Sequence, residues 1–141
     1  MKFETFKKSV QLSKDDISRD LLAENRDRIK VKKERIAVKN LVRIFDAALA
    51  ISNVKGFASM SLRDLSSEAG LSMGALYSYI SSKEKLLDMI QQQGRTVIVR
   101  VMSENLQNIE DPAEKLKVAI QVHLYLSEVL QPWFYFSYME T

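Results

Sequence analysis

Residues 61–80 read SLRDLSSEAGLSMGALYSYI, and this stretch decides the fold. Ser61-Leu62-Arg63-Asp64 has the spacing of a helix start, a hydroxyl cap followed by an acidic residue at the third helical position. Leu62, Leu65 and Ala69 fall on one face of the short helix that follows, and Gly70 stops it. After Leu71, Ser72 is placed to cap a second helix over about 73–80, in which Leu76 and Ile80 form an i, i+4 buried pair. The pattern is therefore helix, four-residue turn, helix, with Ala69-Gly70-Leu71-Ser72 as the turn. Glycine permits the corner, and Leu71 plugs the angle between the helices. The second helix then presents its N-terminal end outward. Free N–H groups and the positive end of the helix dipole at such an end favour phosphate.

Working outward, Leu41, Ile44, Phe45, Ala48 and Leu49 recur at helical spacing and predict a helix over about 35–54, with Gly56 following as its stop. Ser81-Ser82-Lys83-Glu84 is a further capping signature and opens a long helix to about 106. Its apolar stripe is Leu86, Leu87, Ile90, Val97, Ile98, Val101 and Met102, with Gly94 in the middle. Asp111-Pro112-Ala113-Glu114 starts another helix, with Asp as cap and Pro at the first position. The stripe read for it is Leu116, Ala119, Ile120, His123, Leu124 and Leu130, and Pro132 ends or kinks it. Toward the N-terminus, residues 1–12 show little pattern. Ser13-Lys14-Asp15-Asp16, followed by Ile17, Leu21 and Leu22, predicts a short amphipathic helix over about 14–25. The chain finishes on WFYFSYMET, an aromatic patch that calls for a covering surface, whether from further protein or from another chain.

Composition agrees with an all-α class. Among 141 residues, 46% are hydrophobic, and 4 Gly and 2 Pro are too few for the turns of a sandwich or barrel. Cys is absent and His123 is the sole histidine, which excludes disulfides, thiol nucleophiles and multi-His metal sites. No metal or cofactor is expected. The N-terminus lacks the apolar segment of a signal peptide, and no run reaches the about 18 apolar residues of a membrane span. A cytoplasmic protein without membrane attachment is expected. No Ser or carboxylate has a plausible base partner and there is no phosphate loop, so an enzyme is not expected. Net charge is +3, but unevenly placed: residues 1–25 are neutral, residues 26–39 carry +5, and residues 40–141 carry −2. Such a basic block is either a solvated helix face or an electrostatic contact for phosphates.

Residues 43–90 closely resemble the N-terminal DNA-binding region of the TetR/AcrR family of bacterial transcriptional regulators. The pieces that carry the resemblance are Ala47-Ala48, Lys55-Gly56-Phe57, Ser61-Leu62-Arg63-Asp64-Leu65, Ala69-Gly70-Leu71-Ser72, Gly74-Ala75-Leu76-Tyr77 and Ser82-Lys83-Glu84. The resemblance implies a three-helix helix-turn-helix domain joined by a long helix to a helical ligand-binding and dimerisation domain, of which only part is present. The expected organisation is an N-terminal extension over 1–34, a DNA-binding domain over 35–82, and the linker helix with a partial effector domain over 83–141. The implied partners are a pseudo-palindromic double-stranded operator, an apolar small-molecule effector and a second copy of the chain. The implied function is a repressor released by its inducer.

Roles follow residue by residue. Met73, Gly74, Ala75 and Ser78 lie on the leading face of the second helix, where base edges would be. Tyr77, Tyr79, Ser72 and Lys83 are placed for phosphates, and Ser61 and Arg63 sit at the start of the preceding helix, with Arg63 in reach of a phosphate or a guanine. Tyr77 and Tyr79 are open to the alternative of core aromatics, and Lys83 to that of an ordinary helix-start lysine. Many relatives carry a basic or polar side chain where Met73 stands. Lys30, Lys32 and Lys33 form a candidate arm for phosphates or the minor groove. Val97, Val101, His123, Trp133 and Phe134 are candidates to line an effector pocket, and core packing explains each as well. Two other readings stay open. One is a constitutive or architectural DNA binder without an effector; the other is a protein-interaction module docking through the aromatic C-terminus.

Overall fold

The computed structural model describes residues 1–25, 29 and 33–140. Among them the chain forms seven helices and no strand: α1 (Phe3–Glu24), α2 (Glu34–Lys55), α3 (Leu62–Ala69), α4 (Met73–Tyr77), α5 (Lys83–Leu106), α6 (Pro112–Val129) and α7 (Gln131–Met139). The all-α expectation holds. No helix among the described residues is long and apolar enough to cross a membrane. Lys30 and Lys32 of the candidate arm lie outside the described residues.

The central helices begin and end close to where their caps and stripes place them. Ser61, Ser72, Ser82 and Asp111 each accept a hydrogen bond from the backbone N–H three residues on, satisfying one orphan donor apiece. The helix predicted over 73–80 is shorter: α4 ends at Tyr77, and Ser78 to Ile80 leave it through a turn. Leu41, Ile44 and Phe45 of α2 are buried together with Leu65 of α3, Leu76 of α4 and Leu86 and Ile90 of α5. This cluster fixes α2, α3 and α4 against the start of α5.

Two further elements differ from the sequence reading. The N-terminal helix starts at Phe3 rather than about residue 14, and Ser13, read as a cap, is buried inside it. Phe6, Val10, Ser13, Ile17 and Leu21 line one face; the small polar Ser13 interrupts the apolar rhythm and hides the pattern. The face packs on α2, α5 and α6, and the rings of Phe3 and Phe6 lie 5.2 and 5.3 Å from that of Tyr125 on α6. The second difference is the face of α6. Leu116, Ile120 and Leu124, expected inward, are exposed, whereas Val122 and Leu126 are buried. The helix is apolar on two sides, and its packing on α5 and α1 selects the side that sequence periodicity could not.

The aromatic C-terminus folds back as α7. Trp133 and Phe136 are buried, while Tyr135, Tyr138 and Met139 stay exposed. Trp133 packs against Gly94, where a Cβ would overlap the indole ring, and its Nε1 donates to the carbonyl of Ile90 at 2.9 Å. Glycine at 94 therefore serves close packing of α7 on α5. The other side of α7 holds the end of α2. Asn53 Nδ2 donates to the Pro132 carbonyl at 3.1 Å, Glu140 accepts from the Phe57 N–H at 3.0 Å, and the rings of Phe57 and Phe136 meet edge to face at 5.7 Å.

Candidate nucleic-acid interface

The unit formed by α3, the turn and α4 is held mainly by bonds within a few residues. Ser61 and Asp64 form a reciprocal capping box: the Asp64 N–H donates to the Ser61 hydroxyl at 3.0 Å, and the Ser61 N–H donates to the Asp64 carboxylate at 3.1 Å. That carboxylate also pairs with Lys55 at 2.9 Å. The Lys55 ammonium and the Ser61 donors hold the Asp64 carboxyl down at about 2, from an ordinary 3.8. Gly70 takes the left-handed conformation, φ 69°, that turns the chain. Ser66 closes the corner twice, donating from its hydroxyl to the Leu71 carbonyl at 2.9 Å and accepting the Leu71 N–H at its own carbonyl at 3.0 Å. Ser72 then caps α4 through the Ala75 N–H at 3.1 Å.

On this frame Gly74 and Tyr77 are exposed, and Met73, Ala75 and Ser78 are half-buried. A Cβ at Gly74 would meet nothing within 4 Å, so the helix backbone faces open space there. The Ser78 hydroxyl donates to the Gly74 carbonyl at 3.1 Å, which leaves it able to accept. Ser61 and Arg63 are exposed at the head of α3, and Ser72 is exposed at the head of α4. These eight candidates lie on α3, α4 and their caps.

Two others are placed differently. The Tyr79 ring is buried, 1% exposed, and its hydroxyl accepts from Asn40 of α2 at 3.0 Å. The core alternative describes its ring, because the turn after Tyr77 swings residue 79 inward to join Leu76 and Ile80. The Lys83 ammonium donates to the carbonyls of Phe57 and Ala58 at 3.0 and 3.2 Å and lies 5.1 Å from the Phe57 ring centroid. It ties the loop between α2 and α3 to the start of α5. Lys33 is exposed at the cap of α2.

The structure adds a basic row. Arg35, Lys39 and Arg43 follow one another at i, i+4 and i+8 on the exposed face of α2. Arg43 ends the row at the turn, where its Nη2 donates to the Gly70 carbonyl at 3.4 Å. Sequence reasoning marked the basic block only to residue 39. The four-residue spacing from Arg35 was the signal that extends it to Arg43.

The candidate effector residues separate. Val97 and Trp133 line one cavity of about 240 Å3. Val101 is buried outside its lining, and the Phe134 ring packs edge-on against Trp133 at 5.5 Å. His123 is exposed on α6 and meets the Phe134 ring at 6.2 Å, so it is neither a core histidine nor part of the cavity.

Two short capped helices meeting at a left-handed glycine, backed by α2 and extended into a long helix, define a helix-turn-helix protein. Residues 44–90 match the family model of bacterial regulatory proteins, tetR family. The chain is also 30% identical over 93 residues to an uncharacterized HTH-type transcriptional regulator, YfiR, of Bacillus subtilis strain 168; the match covers 66% of this chain and 42% of that protein. Within this segment the chain is similar to the tetR family of bacterial regulatory proteins. It spans less than half the length of the curated relative it matches.

Proposed function

We propose that the protein is a sequence-specific, double-stranded-DNA-binding transcriptional regulator, with residues 35–82 as the reading domain. The observation that carries this is the exposed face of α4, where Gly74 leaves the backbone open beside Met73, Ala75, Tyr77 and Ser78. Met73 and Ala75 suit thymine methyl groups, and Ser78 suits an acceptor or donor on a base edge. Ser61, Arg63, Ser72 and Tyr77 set the register on phosphates, and Arg35, Lys39 and Arg43 extend that contact along α2. Tyr79 and Lys83 act behind the interface: one fixes α4 to α2, the other fixes the loop ahead of α3.

The finer reading is a cytoplasmic repressor. Two copies sit on a pseudo-palindromic operator, and an apolar small molecule releases them. The contacts of α7 with both α5 and the end of α2 support this, because a shift of the linker helix reaches the reading helices through Trp133, Asn53 and Phe57. Selection of bound sequences from a random duplex pool at two salt concentrations tests the proposal. An enriched inverted repeat is expected; salt-sensitive binding without an enriched motif would overturn sequence-specific reading.

A further inference from the structure

The cavity beside Trp133 draws walls from five helices: Lys14 of α1, Leu49 and Ala50 of α2, Gln93 and Val97 of α5, Val129 of α6 and Trp133 of α7. Its wall joins the first helix of the reading domain to the linker helix and to the C-terminal clamp. Three features specify an occupant. The first is size. About 240 Å3 exceeds the roughly 150 Å3 that accommodates a benzene ring, so one substituted ring or two fused rings fit. The second is the lining, mostly aliphatic side chains with an indole at one side, which matches a flat apolar body. The third is the placement of polar groups. Gln93 is 6% exposed and makes one hydrogen bond among the described residues, from Nε2 to the Ser18 hydroxyl at 3.3 Å. Its carbonyl oxygen accepts no hydrogen bond among the described residues and so remains open to a donor. Lys14 and Asp46 bring opposite charges to the lining and form no ion pair among the described residues, so the site selects for neither net sign.

We propose that this cavity binds a compact, uncharged aromatic molecule carrying one hydrogen-bond donor, of the phenol class, seated beside Trp133 with its donor on Gln93. The occupant touches α2, α5 and α7 at once. A consequence for DNA binding rests on the regulator reading above, whereas the site itself does not.

Trp133 is the chain's single tryptophan, so its fluorescence reports on the cavity. The test titrates the full chain, without DNA, with 4-bromophenol, whose heavy atom quenches an adjacent indole. Saturable quenching with a Kd below about 1 mM is expected, within reach of so small a ligand. Ala50→Phe, on the exposed side of α2, fills the space and should raise the Kd at least tenfold with an unchanged circular dichroism spectrum. Ala50→Leu is the milder filler should the larger ring impair folding. Quenching that stays linear, as for a free indole in solution, overturns the proposal. So does saturation that both folded filler variants leave unchanged. Because no DNA is present, either result stands whatever the operator selection gives.

Discussion

The reading unit and the α7 clamp are held in opposite ways. In α3 and α4 the stabilising bonds join residues three to five apart, as in Asp64 to Ser61, Ser66 to Leu71 and Ala75 to Ser72. In the clamp they join Trp133 to Ile90, Asn53 to Pro132 and Phe57 to Glu140, separations of 43, 79 and 83 residues. A unit closed by local bonds keeps its shape when its surroundings move. A clamp closed by distant ones transmits movement, because each bond crosses between elements. The pairing suits a switch in which the reading head stays rigid and its placement changes.

That contrast breaks most sharply at Trp133. Trp133→Ala removes a large side chain 7% exposed, together with its hydrogen bond to Ile90, and should cost about 3–5 kcal/mol in denaturant unfolding. A loss under about 1 kcal/mol would mean that α7 is not packed on α5. Gly94→Ala sets two effects against each other. Alanine favours the helix by about 1 kcal/mol, but its Cβ would overlap the indole, and overpacking costs about 1–3 kcal/mol. A net loss of up to about 2 kcal/mol is expected, and a gain would place Trp133 elsewhere. Ser72→Ala removes only the cap of α4 and should cost about 1 kcal/mol, with specific DNA affinity falling more than non-specific affinity. Equal losses would separate the cap from base reading. Arg43→Ala should leave sequence preference intact and lower the salt slope of binding by about 1, the signature of one lost phosphate contact. An unchanged slope would confine Arg43 to its bond with the Gly70 carbonyl.

The same contrast explains what the sequence disclosed. Caps and turns are local, so Ser61, Gly70, Ser72, Ser82 and Asp111 marked their helix ends without any tertiary information. The resemblance rested on the same local pieces. The face of α6 was illegible because Leu116, Ile120 and Leu124 compete with Val118, Val122 and Leu126 on one helix, and only packing on α5 and α1 decides between them. The first half of α1 was hidden by Ser13 and by a partner ring, Tyr125, far along the chain. Tyr79 and Lys83 were read as phosphate contacts. Their partners Asn40, Phe57 and Ala58 lie 25 to 39 residues away and showed only in the packing.

The smallest expected effect tests whether the capping box of α3 stands on its own. The Asp64 carboxyl titrates at about 2 in the folded chain, against an ordinary 3.8, chiefly through its bond to the Lys55 ammonium and then through the Ser61 donors. Folding therefore favours the ionised form. The associated stability is fully present above about pH 4, declines as pH falls from there through 2, and is gone below that. Both partners are substantially exposed, so salt screens part of the effect. Asp64→Asn should flatten the stability profile between pH 4 and 2 while leaving the profile above pH 5 parallel to that of the parent chain. Lys55→Met should remove most of the same pH dependence but retain the Ser61 cap. If the two variants behave identically, the ion pair alone lowers the Asp64 carboxyl; if Lys55→Met changes nothing, the capping box does so unaided.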